Sequence, residues 1–212
     1  KKAIEAQLKA ARIQAGEDKR LRHEDAANKA QQRFKATDGV TAYMERKKIP
    51  STYGCGIWNG VLQVPMRDVD GKLWGIQYIQ PDEHGTKRFM TGQKVDGCFH
   101  VIGDLAGECF LCEGFATGAS VHLATGKAVV VAFNGNNLVA VAKGLRGKYT
   151  DLTITICGDD DRFTLVNGEP SNIGREKAGK AAEMGRGAVI FPILESDDGK
   201  ALIEDARFRD KL

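Results

Sequence analysis

Nowhere in its 212 residues does this chain hold a run of 18 apolar residues, so no membrane-spanning helix is expected. No secretion signal opens it. It begins at Lys1 rather than Met, which points to a piece of a longer protein. The four histidines, His23, His84, His100 and His122, lack metal-ligand spacing, which argues against zinc. The five cysteines are scattered. Cys109 and Cys112 have CxxC spacing but lie in a strand-like run, where positions i and i+3 face opposite sides, so they read as buried thiols. An odd cysteine count without a secretion signal favours a reducing, cytoplasmic setting. No internal repeat is present. A net charge of +3 permits a nucleic-acid partner without requiring one.

What is present is an α/β pattern. Hydrophobic content of 42% and 25 glycines fit a globular protein with many turns. Residues 1–36 are rich in Ala, Lys, Gln, Glu and Arg, with Gly16 the one breaker. They read as an exposed charged helix or pair of helices, either a linker or a basic arm for nucleic acid. A short helix over 38–48 stops at Pro50. Strand-like runs at 61–64 and 74–79, with turn signals at Asp70-Gly71 and Glu83-His84-Gly85, make a small β-rich unit. From Glu108 onward strands (109–112, 128–133, 152–157, 188–193) alternate with helices (116–123, 138–145, 175–184), and 163–173 reads as a polar loop. Repeated βα units imply a parallel sheet with right-handed crossovers. The division expected is 1–36, a charged helical linker; 37–104, a β-rich basic subdomain; 105–198, the α/β domain; and 199–212, a helical tail.

Two strand-like runs end in carboxylates. Glu113-Gly114 closes Cys109-Phe110-Leu111-Cys112, and Gly158-Asp159-Asp160-Asp161 closes Leu152-Thr153-Ile154-Thr155-Ile156-Cys157. The carboxyl ends of strands in an open α/β sheet form the ligand crevice. Carboxylates gathered there repel unless a divalent cation neutralises them. Hard oxygen ligands suit magnesium better than zinc, and magnesium held this way serves phosphate chemistry. Asp160, between two neighbours that converge, reads as a solvent-facing loop acid. Gly114 is either a close-approach point for phosphate at a helix start or a plain turn glycine. Asn134-Gly135-Asn136 lies on the same sheet edge, where it could bond a nucleotide or template, while Asn137 could simply cap the next helix. Arg67, Lys72, Lys87 and Arg88 form either a ridge for template phosphates or a soluble face. Trp58, Trp74 and Tyr78 could stack on bases, with core packing the better reading for Trp74. Asp197-Asp198 reads as an Asp-Asp-Gly turn, the alternative being that it completes a second metal site.

A Glu-Gly after the first strand of the α/β part, followed by Asp159-x-Asp161 after the third, resembles the Toprim fold. Upstream, Tyr43 to Ile49, Leu62 to Asp68, Gly71 to Gln77 and Gly85-Thr86-Lys87-Arg88-Phe89 resemble the segments before the Toprim core of DnaG-type primases, above all the plasmid- and phage-borne TraC-like kind. The resemblance covers about residues 40 to 195. It implies an α/β Toprim parallel-sheet domain preceded by a small β-rich α+β subdomain and a charged N-terminal helix. It implies Mg2+ or Mn2+ as cofactor, with Glu113, Asp159 and Asp161 as catalytic and metal-bearing residues, Glu113 being either a ligand or the general base. Arg67, Lys87, Arg88, Gly114, Asn134 and Arg162 would bind nucleic acid or nucleotide. The activity implied is synthesis of short RNA primers on single-stranded DNA from nucleoside triphosphates, in plasmid or phage replication, with a replicative helicase as a further partner. This chain departs from the chromosomal pattern at Thr117, where an Asp often stands, and in the length of 163–173 after the acidic run. The alternatives are a Toprim metal-dependent nuclease and a non-catalytic single-stranded DNA-binding module.

Overall fold

The computed structural model describes residues 2–160, 164–166 and 169–191. Helix α1, Lys2–Arg33, is continuous through Gly16. One glycine costs a helix interior only about 1 kcal/mol, and the surrounding Ala, Lys, Gln and Arg are strong helix formers. Pairs one turn apart, Gln14 to Asp18 and Lys29 to Asp25, reinforce it. Most of α1 is exposed, but one face of its last third is buried: Ala26 and Ala30 pack on Leu73, Ile76 and Met90. The stripe consists of alanines, too small to show as an apolar face in the sequence.

A short helix α2, Ala42–Arg46, is capped by Thr41, whose hydroxyl accepts from the Met44 amide at 3.2 Å. Four strands follow: β1 (Gly56–Trp58), β2 (Val61–Arg67), β3 (Leu73–Ile79) and β4 (Lys87–Phe89). They form one antiparallel sheet in chain order. Gly71, with φ +85°, supplies the left-handed residue that the β2–β3 turn requires. Helix α1 covers one face of this sheet, and the other face enters the main core.

The second sheet is assembled from β5 (His100–Ile102), β6 (Glu108–Cys112), β7 (Ala128–Val131), β8 (Thr153–Cys157) and β11 (Ala188–Ile190), in the spatial order β11-β8-β6-β7-β5. All pairs are parallel except β5–β7. Helix α3, Phe115–Thr125, connects β6 to β7. Helix α4, Leu138–Lys148, connects β7 to β8, and α5, Ile173–Gly185, leads into β11. The segment read as a polar loop carries a short hairpin, β9 (Thr164–Val166) against β10 (Glu169–Ser171). β5 lies before residue 105 in sequence yet belongs to this sheet, so the β-rich segment lends the α/β domain its antiparallel edge.

The two faces of the parallel sheet are covered differently. Val129, Val131 and Cys112 face Phe115 and Ala119 of α3 and, in the same core, Leu62, Val64, Met66 and Ile79 of the antiparallel sheet. Val130, Leu111, Ile154 and Ile156 face Val141, Leu145, Ala178 and Ala181 of α4 and α5. β7 is buried at every position, as a strand covered on both sides must be. Cys109 and Cys112 fall into opposite cores, as the strand reading requires, and both are free thiols. Among the described residues no helix is long and apolar enough to cross a membrane.

Candidate active site

Helix α3 leaves β6 toward one face of the sheet, and α5, after β8, packs on the other. β6 and β8 are neighbours, so the chain diverges between them and opens a crevice at their carboxyl ends. Glu113 follows β6 directly, and Asp159 stands two residues beyond β8. Glu113 is half-buried and Asp159 is exposed.

Lys87 of β4 meets them from the antiparallel sheet. Its ammonium lies 3.5 Å from where a methyl group on Gly114 would sit. More than a third of Lys87 is solvent-accessible, yet the crowding around its ammonium pushes its pKa below the usual lysine range. The negative charges of Asp159 and Glu113 oppose that shift, and Lys47 adds to it. Two acids from the parallel sheet and a lysine from the antiparallel sheet therefore share one electrostatic site. Phe89, on the same face of β4 as Lys87, packs edge-on against Phe133 at 6.4 Å between ring centroids and fixes β4 to the sheet end.

The middle acid has a different role. Asp160 is not a solvent-facing loop acid, because its side chain is only 1% exposed. Asn172 Nδ2 donates to Asp160 Oδ1 at 2.6 Å, and Arg175 Nη1 lies 3.7 Å from Oδ2. Asn172 also caps α5, accepting from the Arg175 amide at 3.2 Å. Gly158 permits this close assembly, since a methyl there would lie 2.4 Å from Phe191 and 2.7 Å from Ala178. Asp161 and Arg162 lie outside the described residues, as do Asp197 and Asp198.

Gly114 occupies the N-cap of α3 in extended conformation, with no side chain capping the helix. Asn134 is the N-cap of the 3-10 turn Gly135–Asn137, its Oδ1 accepting from the Asn137 amide at 3.2 Å. Asn137 does not cap α4 with its side chain. It is buried, accepts from Gly97 N at 2.8 Å, and donates to Cys98 O at 2.8 Å and Ala132 O at 2.9 Å. It therefore ties the loop before β5 to the end of β7.

The expected basic ridge is split. Lys87 pairs with Ile79 and Arg88 with Tyr78, so successive side chains leave opposite faces of β4. Arg88 is exposed on the side that α1 covers further along. Arg67, also exposed, donates to Gly71 O at 2.9 Å within its own hairpin. Lys72 pairs with Glu24 of α1 at 2.7 Å. Trp74 is partly buried, its indole N–H donating to Asp68 at 2.6 Å with the Lys72 and Lys94 ammonium groups over its ring. Trp58 is 64% exposed. Sequence reasoning passed over Lys47 and Lys177. Lys177 lies on the face of α5 toward Gly135, a position readable only once α5 is placed.

The donor chemistry suits a hard divalent cation. Among the described residues no set of three His, Cys, Asp or Glu side chains converges. Magnesium, however, is ordinarily held by one or two carboxylates together with substrate phosphates, and Glu113 and Asp159 supply two. Burial holds the neighbouring thiols protonated, with Cys157 pushed up to about 11 and Cys112 well above its ordinary value, so thiolate ligation is not on offer.

Residues 108–202 match the family model of the Toprim domain. This part of the chain is thus similar to Toprim domains. The chain is 47% identical over 136 residues, 62% of its length, to a DNA primase TraC of Escherichia coli, and 45% identical over 136 residues to a second DNA primase TraC of that organism. It spans only 9% and 12% of those two relatives. Among solved structures, the DnaG catalytic core aligns with 68% of this chain and 49% of its own, at 14% identity and a TM-score of 0.44. The Escherichia coli primase catalytic core aligns with 82% and 59%, at 14% identity and a TM-score of 0.42. In the matched segment, Glu113 and Asp159 stand just beyond the first and third parallel strands, β6 and β8.

Proposed function

We propose that this chain is the catalytic core of a DNA primase carried by a plasmid or phage, joining ribonucleotides into short primers on single-stranded DNA. The observation that carries the reading is the meeting of Glu113 and Asp159 with Lys87 at the sheet's switch point, in a chain nearly half identical to a DNA primase over 136 residues. The site draws on residues of both sheets.

In this reading a primer 3′-hydroxyl attacks the α-phosphate of a nucleoside triphosphate, a new phosphodiester bond forms, and pyrophosphate leaves. Asp159, Asp161 and Glu113 would hold Mg2+ or Mn2+, which supplies charge stabilisation for the transferring phosphate. Glu113 is placed either to complete that ligand set or to accept the hydroxyl proton. Lys87 and the uncapped start of α3 at Gly114 offer positive charge and amide donors to nucleotide phosphates. Asn134 and Arg162 complete the nucleotide side. Arg67 and Arg88 are exposed cations available to template phosphates, which give affinity without sequence choice.

The test is primer synthesis on single-stranded DNA with Mg2+ or Mn2+ and labelled ribonucleotides, beside the Asp159→Ala/Asp161→Ala variant. Short products absent from the variant are the expected result. Template cleavage without synthesis would turn the reading to a Toprim nuclease. DNA binding that survives the double substitution, with no turnover by either protein, would indicate a binding module.

A further inference from the structure

The turn after β7 contains a close approach that decides where the Glu113 carboxylate can sit. A methyl group on Gly135 would lie 2.6 Å from Glu113 Oε1, 3.1 Å from Glu113 Cδ and 3.0 Å from Lys177 Cδ. Those are its three nearest neighbours, and real Cβ atoms essentially never approach within 3.0 Å. The backbone makes no such demand. Gly135 has no positive φ and stands in a 3-10 turn that any L residue could enter. The need for glycine therefore comes from the site and not from the turn.

We propose that Gly135 is the positioning residue for Glu113. The space left by its missing side chain is where the carboxylate lies, with the alkyl stem of Lys177 as the opposite wall. Glutamate at 113 and glycine at 135 form one steric unit joining the first and second βα turns of the parallel sheet. With alanine at 135, the flexible end of Glu113 moves and the buried turn stays. A carboxylate displaced by a fraction of an ångström to one ångström no longer meets the reacting groups, and errors of that size cost about 100-fold in rate. The catalytic consequence rests on the primase reading, whereas the steric coupling does not.

Two measurements separate these. The first is the side-chain carboxyl 13C resonance of Glu113, identified by its loss in Glu113→Gln, in wild-type and Gly135→Ala protein. The proposal expects that resonance to shift more than other glutamate carboxyls while the thermal unfolding midpoint holds within about 2–4 °C. An unmoved resonance overturns the proposal. So does a large fall in the midpoint, which would place the need for glycine in the turn. The second is a cycle of primer synthesis with Glu113→Asp, whose shorter side chain withdraws from Gly135. Gly135→Ala is expected to cost about 10- to 100-fold with Glu113 present and less than about 2-fold beside Glu113→Asp. Equal losses in both backgrounds overturn the catalytic half. If the wild-type chain makes no primers, the primase reading fails and the resonance alone decides the coupling.

Discussion

Asn172 donates a 2.6 Å hydrogen bond to Asp160, and this bond separates the roles of two adjacent acids. Asp160 is turned into the protein, beside Arg175 and the start of α5, while Asp159 stays exposed and acts on Lys87. Asp160→Ala should therefore behave as a stability mutation. Losing a buried carboxylate and orphaning its partner costs roughly 1–3 kcal/mol. In a domain of this size each kcal/mol lowers the melting temperature by about 2–4 °C. Asp159→Ala should leave the midpoint within about 2 °C, since exposed substitutions move stability by about 0.5 kcal/mol or less, yet abolish primer synthesis. Calorimetry of the two variants side by side checks both halves.

Much of this architecture was legible because its strands are apolar runs punctuated by turns. Val129-Val130-Val131 could only be a doubly covered strand, and the carboxylates that close β6 and β8 had to share a sheet edge once the strands were parallel. The parts missed are those where tertiary contact overrides local pattern. His100–Ile102 is too short for any periodicity, yet pairs with β7 as the antiparallel edge. The β9–β10 hairpin was hidden by Pro170, a residue that discourages a strand assignment. Asp160 looks like its neighbours in sequence. Its burial depends on Asn172 and Arg175, which arrive only after the hairpin. Gly135 reads as an ordinary turn glycine until Glu113 is seen to occupy its side-chain space.

His100 gives the fold a pH limit. It is buried and donates from Nε2 to Tyr53 O at 3.0 Å, with Cys55 Sγ 3.6 Å away. Burial pushes its pKa down to about 4, and Arg67 assists, while the Tyr53 carbonyl opposes. The folded state thus refuses a proton that the unfolded chain accepts near pH 6.5. Stability should be full above pH 6.5 and fall progressively toward pH 4. For this one group the loss by pH 5 is about 2 kcal/mol. Urea unfolding at pH 7.5 and pH 5 should show this difference in wild-type protein, and His100→Gln should remove most of it. An unchanged pH dependence in the variant would remove His100 from the account.

Asn137 should be more sensitive than its place in an Asn-Gly-Asn-Asn run suggests. Its amide satisfies Gly97, Cys98 and Ala132 from a buried position. Asn137→Ala leaves several backbone groups unpaired away from water, at a cost of roughly 2–4 kcal/mol. Asn136→Ala, one residue earlier and exposed, should stay within about 0.5 kcal/mol. Chemical denaturation of both variants tests whether Asn137 is the tie between β5 and β7.

The cations of the β-rich sheet should divide by the face from which they project. Lys87 shares its site with Glu113 and Asp159, so Lys87→Met, which keeps the stem and removes the charge, should lower kcat for primer synthesis by about 100- to 1000-fold, the range seen when one charge-stabilising group is removed. Arg88 leaves the opposite face of β4, and Arg67 stands at the end of β2. Neither reaches the reacting phosphate by the same route, so Arg67→Met and Arg88→Met should raise the Kd for single-stranded DNA while leaving kcat at saturating template nearly unchanged. Each cation that tracks a phosphate should also reduce the slope of log K against log salt by about 0.7. Fluorescence anisotropy with labelled single-stranded DNA across a salt series gives the slope, and initial rates at saturating template give kcat. A kcat loss in the Arg88 variant equal to that in the Lys87 variant would mean that the faces of β4 do not divide the work, and that the reacting groups lie across the sheet edge rather than in the crevice between β6 and β8.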